Sequence, residues 1–209
     1  MRYASYEISS PQRRVHDSRN RRARHLRAYF RLEKRLLALI DTMSSAQDLG
    51  ADELLENLAF REGFDEADLV LRTVRRRDQI IAVIAVPHRI FYKPDYMAKV
   101  RAMKRAAKQL GRRCLIVPQS IVDQEPRRSN AELLHRSRSL SVDATSRLSV
   151  LVHLMDSGAS TLRECAELFS HENPVGSVLR LAWEGTLRID LRKPIGPETR
   201  VEIAEWGDR

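Results

Sequence analysis

Apolar and polar positions alternate with a different period in three successive regions of the chain. From Arg21 to Ile40 there is no Gly or Pro, and Leu26, Phe30, Leu37 and Ile40 recur at helical spacing. At 100° per residue these four fall within about 80° of one another, with Arg24, Arg27, Arg31 and Arg35 on the far side. The pattern predicts an amphipathic helix with one anomaly. Glu33 lies in the middle of the predicted apolar face, where a lone carboxylate is costly without a cation or a salt-bridge partner.

The second region has short, dense apolar runs. ADLVLRTV (67–74) is followed by the charged break Arg75–Asp78 and then by IIAVIAV (80–86). Such a pair predicts a hairpin whose second strand is buried on both faces, ended by Pro87. Pro94 opens a helix that runs to Gly111 as a C-cap, with Met97, Val100, Met103, Ala107 and Leu110 inward. Lys99, Arg101, Lys104, Arg105 and Lys108 are expected outside. Cys114–Val117 adds a strand, so strand, helix and strand form a right-handed βαβ unit. The expected fold class is α/β, a three-layer α-β-β-α-β core with helices on both faces of the sheet.

Residues 122–145 are polar and read as a connector with some helix around Asn130–Arg138. Beyond them the period becomes helical again. Arg147–Asp156, with Leu148, Leu151, Val152 and Met155 as its packing face, stops at Ser157-Gly158. Ser160 caps a second helix to Phe169, with Glu164 near the capping-box position. Pro174 starts a third, closed by Gly185, with Trp183 expected in a core with Leu151, Leu179 and Leu187. Thr186–Leu191 and Arg200–Glu205 alternate like a two-stranded wing joined through Lys193–Pro197. Three helices and a hairpin make a winged-helix reading of residues 146–209. The third helix of such modules often reads DNA, but here it offers only Arg180 and Glu184 in a nearly neutral domain. Protein docking therefore stands beside DNA reading.

Charge alters the picture at the N-terminus. Residues 1–40 hold ten Arg and one Lys against Glu7, Asp17 and Glu33, a balance of +8 in a chain of +9. Arg21, Arg22, Arg24, Arg27, Arg31 and Arg35, with Arg101, Lys104, Arg105 and Lys108, are the expected phosphate contacts. The planar guanidinium holds two phosphate oxygens at once, and such binding weakens steeply with salt. Residues 1–20 read as a basic arm, for which a disordered, solubilising role is the alternative. Charge alone does not separate duplex DNA from structured RNA, and the scarcity of aromatics argues against single-strand stacking.

Composition bounds the rest. With 209 residues, 43% hydrophobic and 31% charged, the chain has room for one globular domain and a smaller second one. No apolar run approaches the roughly 18 residues of a membrane span, and MRYASYEISSPQRR has no apolar stretch of a secretory signal. Cys114 and Cys165 lie in apolar runs and fit free thiols in a reducing cytoplasm. His16, His25, His88, His135, His153 and His171 have no neighbours at zinc-ligand spacing.

The order of parts resembles the TnsA-type endonuclease subunit of heteromeric transposases. The resemblance rests on SVLVHLMDSGASTLRECAELF and GSVLRLAWEGTLRIDLRKPIGPETRVE, with a W-x-G-x-L-x-x-D-L passage, and on YKPDYMAKVRAMKRAAKQLGRRCLIVPQSIV in the middle. It covers residues 26–205 and implies a restriction-endonuclease-like domain over 21–121 followed by the winged-helix-like domain. The family's chemistry needs a helix Glu, an Asp at a strand start, and E/Q-x-K on the next strand. The acids hold divalent metal and the Lys positions the attacking water. The resemblance places Glu33 at the helix acid and Asp68 at the strand acid, both also the metal ligands if the protein is active. Ile84-Ala85-Val86-Pro87 then puts Ala85 at the second acid and Pro87 at the lysine, and neither holds a metal or moves a proton.

Three functions follow as expectations. The first is a non-catalytic DNA-binding subunit or accessory protein of a mobile element, a cytoplasmic pseudo-nuclease with no cofactor. In it, Glu33 and Asp68 are structural and paired with arginines. The second is an active endonuclease, dependent on Mg²⁺ or Mn²⁺, in which His88, Arg89 or Lys93 reaches the site. The third is a regulatory winged-helix module that docks a transposase, an ATPase or another copy. No membrane partner is expected.

Overall fold

The computed structural model describes residues 11–43, 46–76, 78–170 and 172–204. Helix α1 (Pro11–Asp41) leads into strand β1 (Ala46–Ala51) and helix α2 (Glu53–Arg61). Strands β2 (Val70–Arg76) and β3 (Gln79–Val86) pair antiparallel. A short α3 (His88–Phe91) and the long α4 (Pro94–Gln109) then cross to β4 (Arg113–Pro118), which lies parallel to β3. The result is a mixed four-stranded sheet in the order β1-β2-β3-β4. β1 and α2 are additions to the expected core.

Period-two alternation sends side chains of each strand to opposite faces. On one face Leu71, Ala82, Ile84 and Val86 pack with α2, α3 and α4 through Leu55, Ile90, Val100 and Met103. On the other, Val70, Val74, Val83 and Ala85 pack beneath Leu32, Leu36, Leu39 and Ile40 of α1. Helices therefore cover both faces, as expected, and the run from Ala82 to Val86 is fully buried. Leu110 departs from expectation: it is the C-cap of α4 and 61% exposed.

The buried stripe of α1 is not the predicted one. Leu32, Leu36, Leu39 and Ile40 are buried, while Leu26 and Phe30 are exposed. The true face is rotated by roughly 100°, about one residue of helical phase.

The stretch 122–145 is more than a connector. It holds α5 (Gln119–Val122, from its last turn) and α6 (Arg127–Ser137). α6 puts Ala131 into the core beneath α1 and ties His135 Nδ1 to Asp41 at 2.8 Å. The same helix reaches the C-terminal unit. The buried Asn130 donates to the carbonyls of Leu191 and Lys193 at 3.0 and 2.7 Å, and accepts from the Ile195 N–H at 3.2 Å.

The C-terminal unit runs α7 (Ala144–Ser157), β5 (Ser160–Thr161), α8 (Leu162–Glu167), α9 (Pro174–Trp183), β6 (Leu187–Ile189) and β7 (Arg200–Ile203). Its sheet has the order β5-β7-β6, so a third short strand joins the expected hairpin. Val150, Leu154, Leu162, Val178, Leu181, Leu187 and Val201 form its core. Thr161, not Ser160, is the N-cap of α8 and closes a capping box with Glu164. α7 turns its other side inward from the predicted one. Val150 and Leu154 are buried, whereas Leu148, Val152 and Met155 are 61%, 47% and 74% exposed.

Candidate functional site

Glu33 and Asp68, metal ligands only if the protein is active, each face an arginine. Glu33 is half-buried on α1, and its Oε1 lies 3.5 Å from Arg72 Nη1 on the sheet below. Arg72 also grips Asp48 of β1: its Nε donates to Oδ1 at 3.1 Å and its Nη2 to Oδ2. One guanidinium thus sits between two carboxylates from two other elements. The bond to Asp48 leads the causes that push the Arg72 pKa up. One turn earlier, burial, and then the Glu33 charge, raise the Tyr29 hydroxyl pKa.

Asp68 precedes β2 and accepts from Arg89 Nη1 at 2.7 Å and from the Asp65 N–H at 3.1 Å. Arg89 Nη2 also donates to the Ala67 carbonyl at 2.6 Å. Of the three residues expected to reach the site from the turn after β3, Arg89 does so, as a partner of Asp68. The His88 backbone N–H donates to Gln119 instead, and the Lys93 ammonium lies 5.2 Å from the Tyr96 ring centroid. Ala85 and Pro87 are both buried.

These residues do not fit a divalent metal. Glu33 and Asp68 are each neutralised by a different arginine, and among the described residues no three His, Cys, Asp or Glu side chains group as ligands. Cys114 offers no nucleophile at neutral pH, since burial pushes its thiol up to about 11.

The basic residues divide by the work they already do. Arg22, Arg24, Arg27 and Arg31 are exposed on α1, and every described side chain from Arg22 to Ala28 is exposed. None of the four has an ion pair among the described residues, and the Arg21 side chain lies outside them. Arg35 departs from the expected row: it is partly buried, 2.8 Å from Asp123 and 3.6 Å from Glu132, and ties α1 to α5 and α6. On α4, Arg101, Lys104, Arg105 and Lys108 are exposed as expected. Lys99 instead folds inward to donate to the Glu62 carbonyl at 2.7 Å. The α1 and α4 rows belong to opposite layers of the core and are separate surfaces.

In the C-terminal unit the charges of α9 are spent internally. Arg180 Nε donates to Glu184 at 2.8 Å, and Arg147 donates to the same carboxylate at 2.7 Å. The Arg180 guanidinium also lies 4.7 Å from the centroid of Trp183, which is half-buried and stands outside the core that its sequence position predicts for it.

Ser160, expected as the cap of α8, is instead a hub one residue before it. It donates to Glu164 Oε2 at 2.5 Å and faces His153 Nε2 at 2.9 Å. Serine stands between the acid and the imidazole, so the trio links α7 to α8 and does not activate a nucleophile. The bond from Ser160, followed by those from Thr161, holds the Glu164 carboxyl down to about 2. A depressed folded value stabilises above the unfolded pKa of about 4.3. This contribution should therefore fade as pH falls from about 4.5 to about 2, and Glu164→Gln should flatten that part of a stability-against-pH curve.

No family model matches the chain, and no curated protein matches it.

Proposed function

We propose that this chain is a non-catalytic DNA-binding subunit or accessory protein related to transposon endonucleases, acting in the cytoplasm. The observation that carries the reading is the outer half of α1, where Arg22, Arg24, Arg27 and Arg31 stand exposed, with no ion pair among the described residues. Backbone phosphates are the ligand such a row fits, because each fork takes two oxygens. The mixed sheet between helices supports a restriction-endonuclease-like core, and the order β5-β7-β6 around three helices supports a winged-helix unit. The arginine locks on Glu33 and Asp68, with Ala85 and Pro87 buried, support loss of cutting.

Two measurements test this. Replacing Arg22, Arg24, Arg27 and Arg31 by Ala should weaken duplex binding for all sequences and lower the salt slope by about one unit for each phosphate no longer held. Unchanged affinity and slope would remove α1 from the interface. Plasmid DNA incubated with the protein and Mg²⁺ or Mn²⁺ should stay supercoiled. Cleavage that disappears in Asp68→Ala would restore the endonuclease reading.

A second reading applies to the C-terminal unit. Leu148, Val152 and Met155 form an exposed stripe at i, i+4 and i+7 on α7. Such a stripe favours protein docking, to a transposase, an ATPase or a second copy.

A further inference from the structure

A groove of about 710 Å³ lies where the C-terminal unit meets the end of α1, lined by Arg127, Arg188, Asp190, Arg192, Arg200 and Glu202. None of these residues stands out as a binding residue in the sequence. Four arginines face two acids, and the acids are not evenly shared. Glu202 takes Arg188 at 2.7 Å and Arg200 at 2.6 Å. Asp190 accepts from the Arg192 backbone N–H at 3.0 Å. The guanidinium groups of Arg127 and Arg192 are exposed and have no ion pair among the described residues. They come from two walls: Arg127 from the first turn of α6, Arg192 from the turn after β6.

One side chain ties the two walls directly. Asn130 bonds Leu191, Lys193 and Ile195, so the arginine-bearing turn is fixed against α6 by three hydrogen bonds from a residue 3% exposed. The groove is open, because Arg127, Asp190, Arg192 and Arg200 are all exposed. An open groove with surplus arginine on facing walls suits a continuing polyanion better than an enclosed small molecule.

We infer that this groove is a second seat for the phosphodiester backbone of duplex DNA, with Arg127 and Arg192 as its contacts and Asn130 as the residue that positions them. The inference rests on the DNA-binding reading and extends it to the C-terminal unit, whose third helix spends its charges internally. Along the axis of α1, Arg24 and the Asp41 end that borders the groove are about 26 Å apart at 1.5 Å per residue.

The test is fluorescence anisotropy of the full chain with a duplex of about 24 base pairs across a salt series, beside thermal melts of each variant. Arg127→Ala with Arg192→Ala should lower the salt slope by about two units and weaken binding about tenfold at fixed salt, with the melting midpoint unchanged. Asn130→Ala keeps every charge but releases the turn, and should weaken binding while slope and affinity stay insensitive to the further removal of Arg192. Arg24→Ala with Arg27→Ala provides the reference. If that reference variant loses affinity while the groove double variant matches wild type, the groove is not a DNA seat and the α1 reading stands. If the wild-type chain binds no duplex at any salt, the DNA-binding reading fails and takes the groove with it. Binding of a polyglutamate peptide that Arg127→Ala with Arg192→Ala abolishes, without any effect of that variant on duplex, would make the groove an acidic-protein site and overturn the inference.

Discussion

Leu181→Ala should lower the stability of the C-terminal unit by about 2–5 kcal/mol, whereas Trp183→Ala, two positions later, should cost about half as much. Leu181 has no exposed surface and packs among Val150, Leu154, Leu162, Val178 and Val201. Its truncation leaves a cavity that a sheet of three short strands and three helices cannot readily close. Against a total of about 5–15 kcal/mol for an ordinary domain, such a decrease is large. Trp183 is only half-buried, with the Arg180 guanidinium against its ring, and its indole N–H is buried without a partner. Trp183→Phe removes that orphan donor and should fall within about 1 kcal/mol of wild type. Urea midpoints of the three variants check the order. Equal costs for Leu181→Ala and Trp183→Ala would return the tryptophan to the centre of the core.

The second large effect lies at Arg72. Arg72→Met should destabilise the sheet by about 2–3 kcal/mol, because Glu33 and Asp48 lose the cation they share. The figure sits below the 3–5 kcal/mol of a fully buried pair, since the three side chains keep 17–21% of their surface in water. Adding Glu33→Gln and Asp48→Asn to Arg72→Met should recover most of that stability, as neutral neighbours no longer repel. The same variant probes the metal question directly. If Mg²⁺ raises the midpoint of Arg72→Met but not of the triple variant, the two acids can hold a divalent ion once the arginine is gone. That result would mean that the arginine, and not the backbone geometry, excludes metal.

The parts of the fold legible in the sequence are those whose signal is local. The run Ala82–Val86 is apolar at every position and is buried at every position, and Pro94 opens α4 where its missing N–H costs nothing. β1 carries no such signal. Ala-Gln-Asp-Leu-Gly-Ala has no β-branched residue, and it is a strand because β2 pairs with it. α2 carries a local signal that the expected core left unused: Asp52 caps Leu55 and Gly63 follows its end in the left-handed region at φ +77°. The phase of α1 is not legible. Leu32, Leu36, Leu37, Leu39 and Ile40 spread apolar surface over about 160° of the helix at 100° per residue, and the sheet and α6 choose which part is covered. The candidate site divides the same way. Glu33 stands out as an acid among leucines, but its partner Arg72 is 39 residues away and on another element. Arg35 looks as free as Arg31 in the sequence, and only the fold brings Asp123, 88 residues on, beside it.

The two halves of α1 are one unbroken rod. No Gly or Pro lies between Arg21 and Ile40, so the chain has no joint at which the exposed half can swing. Leu32, Leu36, Leu39 and Ile40 are clamped on the sheet, and the residues before them form a cantilever. Tyr29 also packs on that core, so from Arg22 to Ala28 the overhang is about 9 Å long at 1.5 Å per residue. Its bearing is set by the clamp, so a load applied at the arginines arrives at the sheet as torque about Leu32.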